Sequence, residues 1–175
     1  MREPLIIVNI ALLVPLAVII TYYDVRYRRI PNAFVLATLV AGLSVNTLFS
    51  GLDGARSSLA GCALAFGLMF VMHVFGAMGA GDVKLFAAVG SVVGVSLVPP
   101  TLLTVVLTGG VLALCSTLRA GTLRTTLQRA AMILAGLLPG WQVPRFSVPA
   151  DKRHTIPYGV AITLGSLIAV AVFRA

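Results

Sequence analysis

Six apolar runs, each of about the length that crosses a bilayer, follow one another along this chain and leave few folds open to it. In hydrocarbon every backbone N–H and C=O needs a partner within the protein, so runs of this kind specify helices. They extend from Leu5 to Tyr23, Ala33 to Phe49, Leu59 to Ala77, Val83 to Val98, Thr101 to Leu118 and Thr155 to Phe173, with Pro99-Pro100 ending the fourth. The expected fold is all-α, a polytopic membrane helical bundle of about six transmembrane helices forming a single integral-membrane domain over 1–175. Composition agrees, since 59% hydrophobic residues, 10% charged residues and a mean hydropathy of +1.03 lie outside the soluble range. Only Arg2, offset by Glu3, precedes the first run, and no small-residue cleavage pattern comes before Asp24, so the run reads as an uncleaved first helix.

The linkers sort by charge. With six spans, the loops after the first, third and fifth share one side of the membrane. That side holds Arg26, Arg28, Arg29, Lys84, Arg119, Arg124, Arg129, Arg145, Lys152 and Arg153, against Arg2, Arg56 and Arg174 on the other. The positive-inside rule then places these three loops in the cytoplasm and both termini outside. The net charge of +8 does not point to nucleic acid, because the basic residues form no stripe with interleaved aromatics. In the long 119–154 loop, Leu123, Leu127, Ala130, Ile133, Leu134, Leu137 and Leu138 recur at helical spacing, which predicts an interfacial helix ended by Gly136, Pro139 and Gly140 and anchored by Trp141.

Cys62 and Cys115 lie inside apolar runs, and His73 and His154 are isolated, so no metal site or disulfide framework is indicated. His73 is expected to hydrogen-bond a neighbouring helix. Small residues four apart, Gly61 with Ala65, Gly90 with Gly94 and Gly159 with Thr163, mark places where helices pack closely.

Of the five acids, Glu3 sits in the terminal tail, Asp53 in an outside turn with Gly51 and Gly54, and Asp151 in the long loop. Asp24 and Asp82 remain, each abutting a span on the side assigned to the cytoplasm. Alone, Asp24 reads as a charged flank beside Arg26 and Arg28, and Asp82 as the N-cap of the fourth span. Their contexts are richer than those roles require. The first is Asp24-Val25-Arg26-Tyr27-Arg28-Arg29-Ile30-Pro31-Asn32, where Pro31 fixes a compact turn. The second is Gly79-Ala80-Gly81-Asp82-Val83-Lys84-Leu85, whose alternate glycines permit positive φ and the close approach of a substrate strand. Ile156-Pro157-Tyr158-Gly159 supplies another broken helix start before the last span.

An aspartate followed by Ile-Pro-Asn, then Gly-x-Gly-Asp-x-Lys-Leu, then Pro-Tyr-Gly at the final span resembles, in that order, the type IV prepilin peptidases, membrane aspartic proteases of the GxGD type. The resemblance implies that Asp24 and Asp82 are the catalytic pair. Gly79, Gly81, Lys84, Pro157, Tyr158 and Gly159 become candidates for binding substrate. It further implies no cofactor, prepilins and pseudopilins as protein partners, and residence in a bacterial cytoplasmic membrane with the site facing the cytoplasm. Larger members carry a cysteine-rich zinc-binding segment and also methylate the new N-terminus. Here the first span starts at once, which resembles the short peptidases of tight-adherence (Flp-type) pilus systems and implies cleavage without methylation.

Two carboxylates close together at a low-dielectric interface share a proton, so one can activate water while the other polarises a carbonyl. The sequence leaves open which acid takes which role, although the positive N-terminus of the fourth helix favours an ionised Asp82 and leans toward Asp24 as the protonated member. A proton-coupled transporter using intramembrane aspartates and a scaffold built on the small-residue stripes are the competing readings.

Overall fold

The computed structural model describes residues 2–74, 78–119, 121, 128 and 158–173, and among them there is helix but no strand. The helices are α1 (Arg2–Tyr27), α2 (Asn32–Val74), α3 (Ala80–Val93), α4 (Val98–Arg119) and α5 (Tyr158–Phe173), with a 3-10 turn at Val95–Leu97. Three described stretches are long and apolar enough to cross a membrane: Pro4–Tyr27, Asn32–Val74 and Val95–Arg119. The interfacial helix expected over 123–138, Trp141, Asp151, His154 and Pro157 lie outside the described residues. Contacts group residues 1–109 with 157–175 in one compact unit and 110–156 in a second. The account below concerns the first.

The second and third apolar runs are joined in one 43-residue helical stretch broken at Gly51 (φ 60°, ψ −141°). The expected outside turn is therefore mostly helical, and Asp53 pairs across one turn with Arg56 at 3.6 Å. Gly51 nonetheless reverses the chain. The α-carbon of Gly54 comes against the carbonyl of Asn46, eight residues earlier, which about 1.5 Å of rise per residue would forbid in a continuous helix. The two halves of α2 then lie alongside each other, and Val35 and Leu39 of one line a cleft of about 560 Å³ with Cys62 and Phe66 of the other.

α3 occupies the centre. Apart from exposed Lys84, every residue from Val83 to Gly94 is buried, as a helix that is apolar all round requires. Both halves of α2 reach it through glycine: Gly42 lies against Ser91 and Val92, and Gly61 against the backbone of Gly90. The small-residue pairs thus mark a real crossing, since a methyl group on Gly90 would lie 2.7 Å from the Cβ of Ala65. Gly61→Ala is expected to cost about 1–3 kcal/mol, because its Cβ would meet backbone that has no rotamer to change. Thermal unfolding of the detergent-solubilised protein checks it.

α3 ends earlier than its sequence suggests. Gly94 (φ 77°) breaks it, and Pro99-Pro100 fall in the first turn of α4, where missing N–H groups cost nothing, so the prolines begin a helix instead of ending one. The carbonyls left open at the end of α3 are taken up across α2: Asn46 Nδ2 donates to Ser91 O (2.8 Å) and Val92 O (3.0 Å), and Ser58 Oγ to Ser91 O (2.7 Å). At the other end α3 meets α1 and α5, which pack on each other. The buried stripe of α1, Asn9, Leu13, Leu16, Ala17, Ile20 and Asp24, has helical spacing and finishes on a carboxylate. Its opposite side exposes Ile7, Val14 and Val18, apolar surface suited to lipid.

Candidate active site

Asp24 lies inside α1, one residue beyond the predicted span and in the helix's last turn, and it is 8% exposed. Tyr23 and Tyr27 flank it with ring centroids 5.6 Å apart, and Tyr23 meets Phe34 of α2 at 5.8 Å, which closes the short connection between the two helices. The helix stops at Arg28, which adopts a left-handed backbone (φ 52°) while its N–H still bonds Asp24 O at 3.1 Å.

What receives the Asp24 carboxylate is the start of α5, 135 positions away. Gly159 N–H donates to Asp24 Oδ2 at 2.8 Å, Val160 supplies a second backbone hydrogen bond, and the charge of Arg28 is felt at the same group. The first amides of a helix have no partner within it and carry the positive end of its dipole, so Asp24 caps α5 from another element. Gly159 makes this possible by having no side chain: a Cβ there would lie 2.8 Å from Asp24 Oδ2 and 2.9 Å from Ile20 Cγ2.

Asp82 is the third residue of α3, and Gly79 is the N-cap. The acid is therefore not the N-cap considered from sequence; it reaches back and accepts the Gly79 N–H on Oδ2 at 3.3 Å, while Asp82 N–H bonds Gly79 O at 3.1 Å. Neither glycine of the motif has positive φ. Gly79 is extended (φ −76°, ψ 149°), with its missing Cβ 3.1 Å from Asp82 Oδ2, and Gly81 packs against Ile30 at 3.6 Å from its Cβ. Ile30 is thus a point at which the loop that follows Asp24 touches the stretch carrying Asp82. Immediately before the fourth apolar run, the Asp82 carboxyl is pushed up to about 6, first by burial and then by the negative charge of Asp24, with the Gly79 hydrogen bond opposing. Asp82 therefore feels the charge of Asp24. The sequence argument considered only the α3 dipole and could not include the α5 amide on Asp24.

The other described candidates have neighbours of their own. Lys84 is exposed and lines the cleft between the halves of α2 with Asn32 and Cys62. Tyr158 packs toward Gly109 of α4, whose Cβ would be 3.6 Å from its ring. His73 bonds not a neighbouring helix but the backbone just past its own, with Nδ1 2.8 Å from Met78 O. Among the described residues no cluster of three metal-ligating side chains forms. Sequence reasoning missed Ile30 and the capping role of Gly159; a nearby glycine signals close approach, but not to what.

Comparison with known proteins follows this geometry. The model of the type IV leader peptidase family matches residues 11–114, which include both acids. The chain is 29% identical over 158 residues to the prepilin leader peptidase/N-methyltransferase of Bacillus subtilis (strain 168), covering 89% of this chain and 52% of that protein. To the protein of the same name from Legionella pneumophila it is 36% identical over 101 residues, 54% of this chain and 35% of the relative. The chain spans about half the length or less of these curated relatives. No solved structure gives a significant match.

Proposed function

This chain belongs to the type IV leader peptidase family, and we propose that it is a membrane-embedded aspartic endopeptidase that removes the short leader of type IV and Flp-type prepilins and pseudopilins. In this reading it is an inner-membrane protein of a bacterium, with about six spans, both termini outside and the acids facing the cytoplasm. Its partners are the precursor and the bilayer, with no nucleic acid, cofactor or metal. The observation that carries the proposal is that the fold brings together the stretches bearing the buried Asp24 and the half-buried Asp82, with Ile30 packed on Gly81 and the charge of Asp24 reaching Asp82.

The surroundings of each acid support a distinct role. Asp24, held by the α5 amides, is the ionised member and takes a proton from the attacking water. Asp82 keeps its proton and donates it to the scissile carbonyl oxygen as the tetrahedral centre forms. Collapse then passes the Asp24 proton to the departing amine, while Asp82 recovers its own from the hydroxyl. The pair is back in its starting state.

A singly protonated pair fails when its last proton leaves. With Asp82 at about 6, kcat/KM is expected to fall above about pH 6, approaching tenfold per pH unit. A rate flat from pH 5 to 8 would contradict the assignment.

The proposal is tested by incubating membranes bearing the protein with a panel of pilin and pseudopilin precursors and measuring the mass of each new N-terminus. Loss of the leader with no added methyl group is the expected product. Intact precursors throughout the panel would overturn the function.

A further inference from the structure

His73 stands in the last turn of the second half of α2, half-buried, with its ring 6.3 Å from that of Phe70. Its Nδ1 lies 2.8 Å from the carbonyl oxygen of Met78. A carbonyl only accepts, so Nδ1 carries the hydrogen. That carbonyl belongs to the same planar peptide group as the N–H of Gly79, and fixing one end of a rigid plane fixes the direction of the other. The Gly79 N–H in turn donates to Asp82 Oδ2. A continuous path therefore runs from the imidazole through one peptide group to the acid.

At 3.3 Å this last bond is long and responds to small rotations of the peptide. Gly79 has no side chain to restrain it. We infer that His73 is a positioning residue for Asp82, setting the orientation of the carboxyl through the Met78–Gly79 peptide group. The inference rests on the reading of Asp24 and Asp82 as the catalytic pair.

The consequence is more specific than loss of packing. When the imidazole donor is removed, the peptide turns and Asp82 loses the hydrogen bond that favours its ionised form, so its proton is held to higher pH. Among the described residues, the charged group that Asp82 feels from another helix is Asp24 of α1, and Lys84 on its own helix is exposed. Neither changes in a His73 variant.

Four variants, His73→Phe, His73→Asn, His73→Gln and Asp82→Asn, are compared in a precursor-cleavage assay across pH 5 to 8, each normalised to folded protein in the membrane. Phenylalanine keeps the ring and loses the donor. It is expected to lower kcat by about 10- to 100-fold, since misplacing a catalytic group by about 1 Å costs that much, to leave KM within about twofold, and to move the alkaline limb up by about half a unit or more. Asparagine places an N–H near the position of Nδ1 and is expected to restore most of the rate and the original limb. Glutamine carries its N–H farther out and is not. Unchanged kcat and limb in His73→Phe would overturn the inference, as would equal activity of the Asn and Gln variants, a comparison that stands even where the Phe variant fails to fold. Full cleavage by Asp82→Asn would instead remove the catalytic reading beneath it.

Discussion

Asp82→Asn is expected to abolish precursor cleavage, with a loss on the order of 10³-fold or more, and at the same time to make the protein more stable near neutral pH. The first effect follows from removing the group that protonates the scissile oxygen. The second follows from linkage. A carboxyl raised from 3.8 to about 6 in the folded protein contributes stability that is complete below pH 3.8 and is lost as pH rises through about 6. Above that pH the folded state bears an ionised acid facing Asp24, at a cost on the order of 3 kcal/mol for a shift of this size. Asparagine cannot ionise, and its side-chain oxygen can still accept the Gly79 N–H, so the cost disappears and the fold is kept. Thermal unfolding at pH 4 and pH 8 should show the parent losing stability with pH and the variant losing much less. Asp24→Asn is also expected to be inactive, yet without that gain, because Asp24 caps α5. Full cleavage by either variant would refute the pair.

Gly159→Ala is the second large effect, from a single methyl group that never touches the substrate. Built at Gly159, the Cβ meets Asp24 Oδ2 at 2.8 Å and Ile20 Cγ2 at 2.9 Å, so the carboxylate must swing away or α5 must move off α1. Either breaks the hydrogen bond that holds Asp24 and displaces it by about 1 Å, enough to lower kcat about 10²-fold, and overpacking adds about 1–3 kcal/mol of destabilisation. The alkaline limb is a separate readout, because Asp82 then feels a more distant charge and its apparent pKa falls. Parent-like kcat and stability in this variant would show that α5 does not position Asp24.

The contrast between these substitutions locates what was legible in the sequence. Both acids could be found because a chain with only five acids and long apolar runs makes each one costly, and two stood in contexts richer than a flank or a cap. The apolar runs fixed the helical class for the same reason, and the pairs Gly61 with Ala65 and Gly90 with Gly94 foretold close packing, which α2 and α3 make at Gly61 and Gly90. Where the fourth helix would end was misjudged: proline is the stronger breaker along a sequence, but Gly94 reached a positive φ first and left the prolines to open α4. What holds Asp24 was hidden for a different reason, since the dipole of the element that carries Asp82 is local and visible, and the α5 amide that receives Asp24 is not.

From its sequence alone, then, this protein has its helices, its apolar character and the identity of two acids, all properties of segments that backbone hydrogen bonding and hydrophobicity determine within about twenty residues. Tertiary structure decided what receives the Asp24 carboxylate, why Gly159 is a glycine, how Ile30 joins the two acid-bearing stretches, and that His73 serves a loop instead of a helix. Those outcomes depend on groups brought together across as many as 135 positions, where a hydrogen bond or a contact is set by distance in space and leaves no period, run or charge pattern along the chain.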